Sequence, residues 1–427
     1  MKNNTDQTKT PDDSSSRSSV QVWNRNFTFL ISATVCGAAG GIAAGYALSF
    51  LVFYETESVF LSALILLGRL IPSFFLPLLA GPILDRFSRS KVLVFSDFAN
   101  GILYQILGIW LCFWEFSYTA YLLYSIILGC AACLDELAYE AVAPMTMTPG
   151  SEQKSYAVSA LVYPTLNVIM MPVAGVVMNA VGIPALLLAQ GVLSLIAALL
   201  DAQIRVVQNR SSEKKGFSFK AWKSDLVETF EYLRQESGLL SMFSYSAVSS
   251  GLTNACAPSL IAFFSITPGF NAIMYSFFSV AECLGRMLGS GRQYLFHMKA
   301  KTCYRFSVFA LLTYHILDGI LLLTSYPLML VNRFMVGALG STTYTVRTAA
   351  IQAYIPDEMR GRINSFQFIL FYVMTGIMVL IFGFLGDLVS PQWVMAIASL
   401  TGILCLSLTW IRNKKGSEKV FIEGVKD

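Results

Sequence analysis

The sequence predicts an all-α polytopic membrane protein, with twelve transmembrane helices arranged as two pseudo-symmetric six-helix bundles. The first reason is composition: 55% of the 427 residues are hydrophobic and only 13% are charged, far from the balance of a soluble domain. The second is a series of apolar runs of about 20 residues, each long enough to cross a bilayer as a helix. The third is that, among the connections between these runs, only alternate ones contain Lys or Arg.

The apolar runs divide into two groups of six, separated by the polar stretch 205–238. They predict helices near 26–53, 58–80, 92–114, 118–142, 157–180 and 183–206, then near 239–264, 271–291, 303–325, 327–350, 363–386 and 392–411. We therefore expect bundles at 25–206 and 239–411, a disordered cytoplasmic tail at 1–24, a cytoplasmic linker at 207–238 and a cytoplasmic tail at 412–427.

The linker is expected to contain an amphipathic helix, because Trp222, Leu226, Phe230 and Leu233 recur at helical spacing. Two placements of this helix remain open. It could lie on the inner surface of the membrane, or it could be a solvated helix packed on the loops.

Orientation follows from the basic residues. The connections that hold them contain Arg86, Arg89 and Lys91; Lys154; Lys299, Lys301 and Arg305; and Arg360 and Arg362. The alternate connections hold no Lys or Arg, so both termini are expected to be cytoplasmic. The net charge of +4 then reflects membrane topology, and no nucleic-acid partner is predicted. The expected partners are the lipid bilayer and a small molecule, and the chain is expected to be a monomer.

An internal repeat relates the two groups of helices. The segment 67–69, Leu-Gly-Arg, recurs as 284–286 at the same place in the second group. A chain built as two repeats favours alternating access, in which a central site between the halves opens to each side in turn.

Acidic residues lie inside the predicted helix 118–142, namely Asp135, Glu136 and Glu140. The spacing places Glu136 and Glu140 on one face, with Asp135 about 100° round the helix. Several carboxylates in one low-dielectric site cannot all stay ionised, so at least one is expected to bind a proton reversibly. Aligning the repeats places Glu140 opposite Arg347, so a structural ion pair between them is the alternative.

Other charges at membrane depth are Arg69, Glu282, Arg286, Asp318 and Arg333. Glu282 and Arg286 are four residues apart and are expected to pair within one helix. His315 and Asp318 are three apart, and a hydrogen-bonded structural histidine is favoured there over a proton relay.

One connection carries a recognisable motif. Gly81-Pro-Ile-Leu-Asp85-Arg86-Phe-Ser-Arg89-Ser-Lys91 resembles the signature loop of the major facilitator superfamily. A carboxylate beside arginines can hold neighbouring helix ends together, so we interpret Gly81, Asp85, Arg86, Arg89 and Lys91 as a conformational latch. The corresponding loop of the second half, around 297–301, lacks the Gly-to-Asp pattern.

Two further stretches, 355–362 with Arg360, Gly361 and Arg362, and 225–234, are similar to the macrolide-efflux and siderophore-exporter branch of bacterial drug/proton antiporters. Pro172 and Gly175 resemble part of a packing element typical of antiporters. The resemblance covers 25–412 and implies the bacterial cytoplasmic membrane and export.

We therefore predict a proton-coupled exporter of a small amphipathic compound, driven by the proton gradient without a cofactor. A phosphate-binding loop is absent from the sequence, and the two histidines lack a catalytic partner set, so no enzyme activity is predicted. No metal site is predicted either. A nutrient importer on the same fold and a transport-inactive scaffold or sensor remain as alternatives.

Overall fold

The computed structural model describes residues 22–86, 88–148, 151–206, 219–295, 300–356 and 359–424. The regular elements within these residues are all helices. In chain order they are α1 (Arg25–Thr56), α2 (Val59–Arg86), α3 (Arg89–Phe113), α4 (Tyr118–Thr146), α5 (Glu152–Val181), α6 (Ile183–Asp201), α7 (Phe219–Gln235), α8 (Ser237–Ile266), α9 (Ala272–Leu295), α10 (Ala300–Ile320), α11 (Tyr326–Tyr354), α12 (Arg360–Leu388), α13 (Pro391–Leu406) and α14 (Lys414–Gly424). A 3-10 turn, Leu321–Leu323, follows α10, and a π-helical turn, Ser407–Ile411, continues α13.

The predicted fold class is confirmed. Helices α1 to α6 and α8 to α13 occupy the predicted positions, and α7 lies between the two groups. Ten of the described helices are long and apolar enough to span a membrane. The two that complete the set are α9, with Glu282 and Arg286, and α11, with Arg333 and Arg347. Charges on spanning helices usually face the interior of the bundle, so these two helices are where a polar site is expected.

Close helix crossings repeat in both halves. A Cβ atom at Gly129 of α4 would lie 2.4 Å from the backbone oxygen of Arg69 in α2. In the second half, a Cβ atom at Gly337 of α11 would lie 2.2 Å from the backbone oxygen of Glu282 in α9. Only glycine allows such an approach, so the repeat seen in the sequence is also a repeat in packing.

The two halves meet at the end of the bundle where α1 ends and α2 begins, which we call the distal face. The opposite end, where α7 lies, is the linker face. At the distal face, Asp387 at the end of α12 accepts hydrogen bonds from the backbone nitrogen of Val59 and from the hydroxyl of Ser58, both at 2.7 Å. Tyr46 of α1 donates to the backbone oxygen of Ala272 in the other half. The distal face is therefore closed by direct contacts.

The amphipathic helix predicted in the linker is present as α7, and it packs on α12 and α8. Leu233 is fully buried there, and Glu228 pairs with Arg362 at 2.9 Å. Contacts with the C-terminal half thus hold this helix. The side chains of Trp222 and Leu226 lie outside the described residues, as does most of the predicted tail at 1–24.

The second predicted tail, 412–427, is not simply a tail. Most of it folds as α14, which packs on α8, α10 and α11. Val420 and Phe421 are buried to 1% and 0% exposure, and the Phe421 ring lies 5.8 Å from that of Trp410. The described part of this segment therefore belongs to the C-terminal half as a packed helix.

Candidate functional site

Three aspartates from three helices meet inside the N-terminal half. They are Asp97 on α3, Asp135 on α4 and Asp201 at the end of α6. The carboxyl groups of Asp97 and Asp201 lie within hydrogen-bonding reach of each other, and Asp135 lies close to both. Asp97 and Asp201 are only 8% and 3% exposed. We call this group the carboxylate cluster.

The packing of α3 on α6 brings two of these groups together. A Cβ atom at Gly101 of α3 would lie 3.1 Å from the backbone oxygen of Gly191 in α6, so the helices touch backbone to backbone one turn from Asp97. A hydrogen bond between two carboxyl groups requires one of them to carry a proton. One oxygen of Asp135 and one of Asp201 are buried without a hydrogen-bond partner among the described residues. The cluster is therefore suited to binding a proton.

The sequence reasoning singled out Asp135 but missed Asp97 and Asp201. Asp97 lies inside the predicted helix 92–114, so the membrane-depth argument applied to Asp135 would also have identified it. Asp201 lies near the polar linker, where an acidic residue is unremarkable in the sequence. Only the packing of α6 on α3 brings it to the cluster.

Glu136 and Glu140 are exposed, unlike the members of this cluster. Glu136 lies near Tyr372 of α12 and therefore faces the space between the halves. Arg347 of α11 lies with its guanidinium 5.8 Å from the centre of the Tyr344 ring. Among the described ion pairs none joins Glu140 to Arg347, so the pair suggested by the sequence is not formed in this conformation.

A second charged network lies in the C-terminal half. The predicted ion pair between Glu282 and Arg286 on α9 is present. It extends to α11, because Arg333 lies 3.2 Å from Glu282 and 2.7 Å from Asp318 of α10. The Arg333 guanidinium also lies 4.7 Å from the centre of the Phe278 ring. Two carboxylates are thus balanced by two guanidinium groups, unlike the carboxylate cluster.

His315 does not act with Asp318. Its Nε2 atom is hydrogen-bonded to the hydroxyl of Tyr245 at 2.9 Å, and the histidine is 3% exposed. This agrees with the structural interpretation of the histidine, and Asp318 is held instead by Arg333.

A cavity of about 510 Å³ opens beside the charged network in the C-terminal half. Its size suits a small organic molecule. Hydroxyl, amide and aromatic groups line it together with Glu282, Arg286 and Arg347; these groups belong to Ser249, Ser250, Thr253, Asn254, Tyr314, Ser341, Thr343, Tyr344 and Phe371. Such a wall can hydrogen-bond a ligand at several points and stack on an apolar face of it.

The predicted latch lies partly outside the described residues. The side chains of Gly81, Asp85 and Arg86 are not described, although α2 continues through all three positions. Arg89 and Lys91 lie in the first turn of α3, and Lys91 is exposed. The motif therefore joins two helix ends almost directly.

The corresponding connection in the second half is tied to its neighbours. Arg360 donates to the backbone oxygen of Gln352 in α11 at 3.2 Å, while Arg362 pairs with α7. A Cβ atom at Gly361 would meet nothing within 4 Å. These contacts fix the start of α12 against α11 and α7.

The antiporter-like element of α5 lies between the halves. A Cβ atom at Gly175 would lie 3.3 Å from the hydroxyl of Ser276 in α9. Pro172 lies inside the same helix, one turn earlier. Close packing of α5 on α9 thus depends on the small residue at 175.

Two pseudo-symmetric bundles, charges at membrane depth and a polar cavity define a multi-pass membrane transporter of a small molecule rather than an enzyme. The family model described as Major Facilitator Superfamily matches residues 27–314 and 301–426. The chain belongs to the major facilitator superfamily.

Solved structures agree in fold. A crystal structure of the nucleoside transporter NupG is 13% identical and superposes with a TM-score of 0.66, covering 90% of this chain and 98% of that one. The peptide transporter POT in complex with sulfate is 11% identical, with a TM-score of 0.67 over 94% of this chain and 96% of that one. A search of curated proteins found no match. At such low identity the likeness establishes the fold alone.

Proposed function

We propose that this chain is a proton-coupled transporter that exports a small amphipathic compound by alternating access. The observation that carries the proposal is the carboxylate cluster. Asp97, Asp135 and Asp201 lie together in a buried site, and the carboxyl groups of Asp97 and Asp201 are close enough to share a proton in a hydrogen bond. Like charges so placed cannot all stay ionised, so the cluster gains and loses a proton as its access to water changes.

The cavity in the C-terminal half supports the substrate class. Its hydroxyl and amide groups, such as those of Ser249 and Asn254, suit the polar groups of a ligand, while Tyr344 and Phe371 suit an apolar or aromatic face. Arg286 is paired with Glu282, so Arg347 supplies the positive charge at the wall, which favours a compound that carries an anionic or strongly hydrogen-bonding group.

Coupling requires that the proton changes the balance between two conformations. Each proton that binds removes one negative charge from the carboxylate cluster, so the protonated cluster costs less to enclose than the fully ionised one. Protonation therefore favours closure of the linker face over the cluster, and closure there accompanies opening of the distal face. In this scheme Glu136, Glu140 and Arg347 face the pathway between the halves, and the segment around Asp85, Arg89 and Lys91 acts as the gate.

The direction of transport rests on two supports. Segments 225–234 and 355–362 are similar to those of exporters among the bacterial drug/proton antiporters. Gly175, from the antiporter-like element, lies at the contact between α5 and α9. With the basic residues on the linker face, we place both termini in the cytoplasm of a bacterium and treat the monomer as the working unit.

An importer of a polar nutrient on the same fold is the second candidate. It is favoured by the many hydrogen-bonding groups in the cavity wall, including Ser250, Thr253 and Ser341. The direction of accumulation separates the two candidates.

The test uses everted membrane vesicles that contain the protein, energised with an inward-directed proton pump and screened with labelled amphipathic compounds. We expect uptake into the lumen that a protonophore abolishes and that Asp135→Asn reduces at least tenfold. Glu115→Gln, at an exposed acid of the distal face, is the matched control and is expected to transport normally. Accumulation in right-side-out vesicles instead would establish import. Normal gradient-driven transport by Asp135→Asn would exclude that residue from coupling.

A further inference from the structure

A second cavity, of about 750 Å³, lies on the N-terminal half between the start of α3 and the end of α6. It is separate from the proposed solute cavity, which lies in the other half. Phe95, Phe98 and Leu199 line it, and they are 66%, 49% and 70% exposed. Large apolar side chains exposed on spanning helices face lipid, so this cavity is a groove open to the bilayer.

The end of the groove at the linker face is polar and basic. Lys91 in the first turn of α3 and Arg205 just after α6 both line it, together with the hydroxyl residues Ser88 and Ser90. Arg205 is held in place by Asn26 of α1, which donates to its backbone oxygen at 2.8 Å and accepts from its backbone nitrogen at 3.1 Å. The backbone that carries Arg205 is thus fixed by the fold, at the end of α6 where the membrane surface and its lipid headgroups are expected.

We propose that this groove binds one anionic phospholipid of the leaflet at the linker face. The acyl chains would lie along Phe95, Phe98 and Leu199, and the phosphate would lie between Lys91 and Arg205. Charge complementarity supports an anionic headgroup, because two cations meet one end of an otherwise apolar groove. Asp201 also lines the groove, but it is 3% exposed, whereas Lys91 and Arg205 are both exposed. The two cations therefore dominate the charge that the rim presents to the headgroup.

The apolar wall of the groove argues for a lipid over a soluble anion. Inorganic phosphate would use the basic rim alone and would gain nothing from the apolar wall. A zwitterionic lipid would fill the wall but would gain less from the two cations. An anionic phospholipid gains from both the apolar wall and the basic rim.

Native mass spectrometry of the purified, delipidated full chain tests the proposal. The protein is titrated with an equimolar mixture of phosphatidylglycerol and phosphatidylcholine of matched chain length. We expect one saturable phosphatidylglycerol, preferred by about 30-fold if each cation near the surface contributes the usual amount. The double variant Lys91→Gln/Arg205→Gln is expected to lose this preference.

The matched control is Lys154→Gln/Arg412→Gln, which removes two exposed basic residues of the same face outside the groove and is expected to keep the preference. Val94→Trp, which fills the groove without changing its charge, is expected to weaken the binding of both lipids at least tenfold. Each variant is first checked for a monodisperse elution profile. Equal binding of the two lipids by the unmodified protein, or an unchanged preference in the Lys91→Gln/Arg205→Gln variant, would overturn the proposal. Displacement of the bound lipid by inorganic phosphate at equal concentration would reassign the rim to a soluble anion.

Discussion

The charged residues at membrane depth in this protein are of two kinds: some are paired with opposite charges, and others lie beside like charges. In the C-terminal half, Arg333 pairs with both Glu282 and Asp318 with only 8% of its side chain exposed, and Arg286 supplies the second cation. In the N-terminal half, Asp97 and Asp201 face each other as like charges. The first arrangement is self-contained and holds three helices together. The second is costly unless a proton is bound, which makes it the better candidate for coupling.

The C-terminal network gives the first prediction. Arg333→Met would leave Glu282 and Asp318 without their shared cation, and breaking a buried ion pair in this way costs about 3–5 kcal/mol. We expect a marked fall in melting temperature of the detergent-solubilised protein, measured by size-exclusion chromatography after heating. The triple variant with Glu282→Gln and Asp318→Asn removes the stranded charges and is expected to recover most of the loss. An Arg333→Met variant as stable as the unmodified protein would show that the network does not hold these helices together.

The carboxylate cluster gives the second prediction. Asp97→Asn removes one of the two carboxyl groups that lie within hydrogen-bonding reach of each other, so we expect loss of gradient-driven accumulation while exchange of substrate across the membrane continues. Glu140→Gln, at an exposed residue outside the cluster, tests the alternative assignment to α4, and Glu115→Gln, at an exposed acid of the distal face, is the control that is expected to keep both activities. The measurement compares accumulation with counterflow in proteoliposomes. If Glu140→Gln abolished accumulation and Asp97→Asn did not, coupling would belong to the exposed face of α4.

At the level of single residues, the sequence predicted part of the candidate functional site. Asp135 was found because it interrupts an apolar run, and the Glu282–Arg286 pair because four residues make one helical turn. The suggested partner of Glu140 came from aligning the repeats, which assumes that the two halves touch at that height. The side-chain hydrogen bonds described between the halves include those of Asp387 at the distal face and that of Cys283 to the backbone oxygen of Pro164. None of the described ion pairs joins Glu140 to Arg347, so equivalent positions in the two repeats do not by themselves bring these side chains together.

The sequence predicted the membrane-spanning helices well, but it predicted the residues at which they end less accurately. Apolar length sets where a helix crosses the membrane, and the predicted run 58–80 matches the core of α2. The helix nevertheless continues to Arg86, because polar residues at the linker face can extend a helix without being apolar. The short helix α14 was missed for a related reason, since 11 residues of mixed polarity give a weak periodic signal.

The packing of α14 gives the third prediction. Phe421 is fully buried against Trp410 and Tyr304, so Phe421→Ala is expected to destabilise the protein by about 3–5 kcal/mol. Ile422, the next residue, is 45% exposed, and Ile422→Ala is the matched control with little expected change. Thermal unfolding followed by tryptophan fluorescence measures both, since Trp410 reports directly on the contact. Equal stability of the two variants would mean that α14 detaches readily from the bundle.

For the whole molecule, the arrangement of contacts defines the state that the structure represents. The two halves are joined at the distal face by side chains of α1, α2 and α12, including Tyr46 and Asp387. At the linker face, α7 and α14 pack on the C-terminal half. Residues of the proposed pathway such as Glu136 and Tyr344 are exposed. We therefore expect the distal contacts to break when the protein changes state.

The fourth prediction tests this rearrangement without knowledge of the substrate. The carboxylate of Asp387 caps the start of α2 and accepts from Ser58, Val59 and Phe60 across the two halves. Asp387→Ala removes these charge-assisted bonds, which together contribute about 2 kcal/mol, so the distally open population should rise by about 30-fold. Spin labels are attached at Glu55→Cys and Ser390→Cys, which are exposed distal positions in opposite halves. Opening of the distal face would appear as a longer distance between the two labels in pulsed electron paramagnetic resonance.

The exposed native thiol, Cys112, is replaced by serine in every protein used for this measurement. Glu115→Gln is the control, since it removes a distal carboxylate that makes none of the contacts between the halves described above, and its distance distribution should match that of the unmodified protein. The Asp387→Asn variant separates charge from hydrogen bonding, because an amide oxygen can still accept from α2 while the favourable interaction of a carboxylate with the helix N-terminus is lost. An intermediate population in Asp387→Asn would assign part of the closure to that charge. A distribution in Asp387→Ala that remains short and narrow would mean that apolar packing, such as that of Gly383 on Ala63, closes the distal face without help from Asp387.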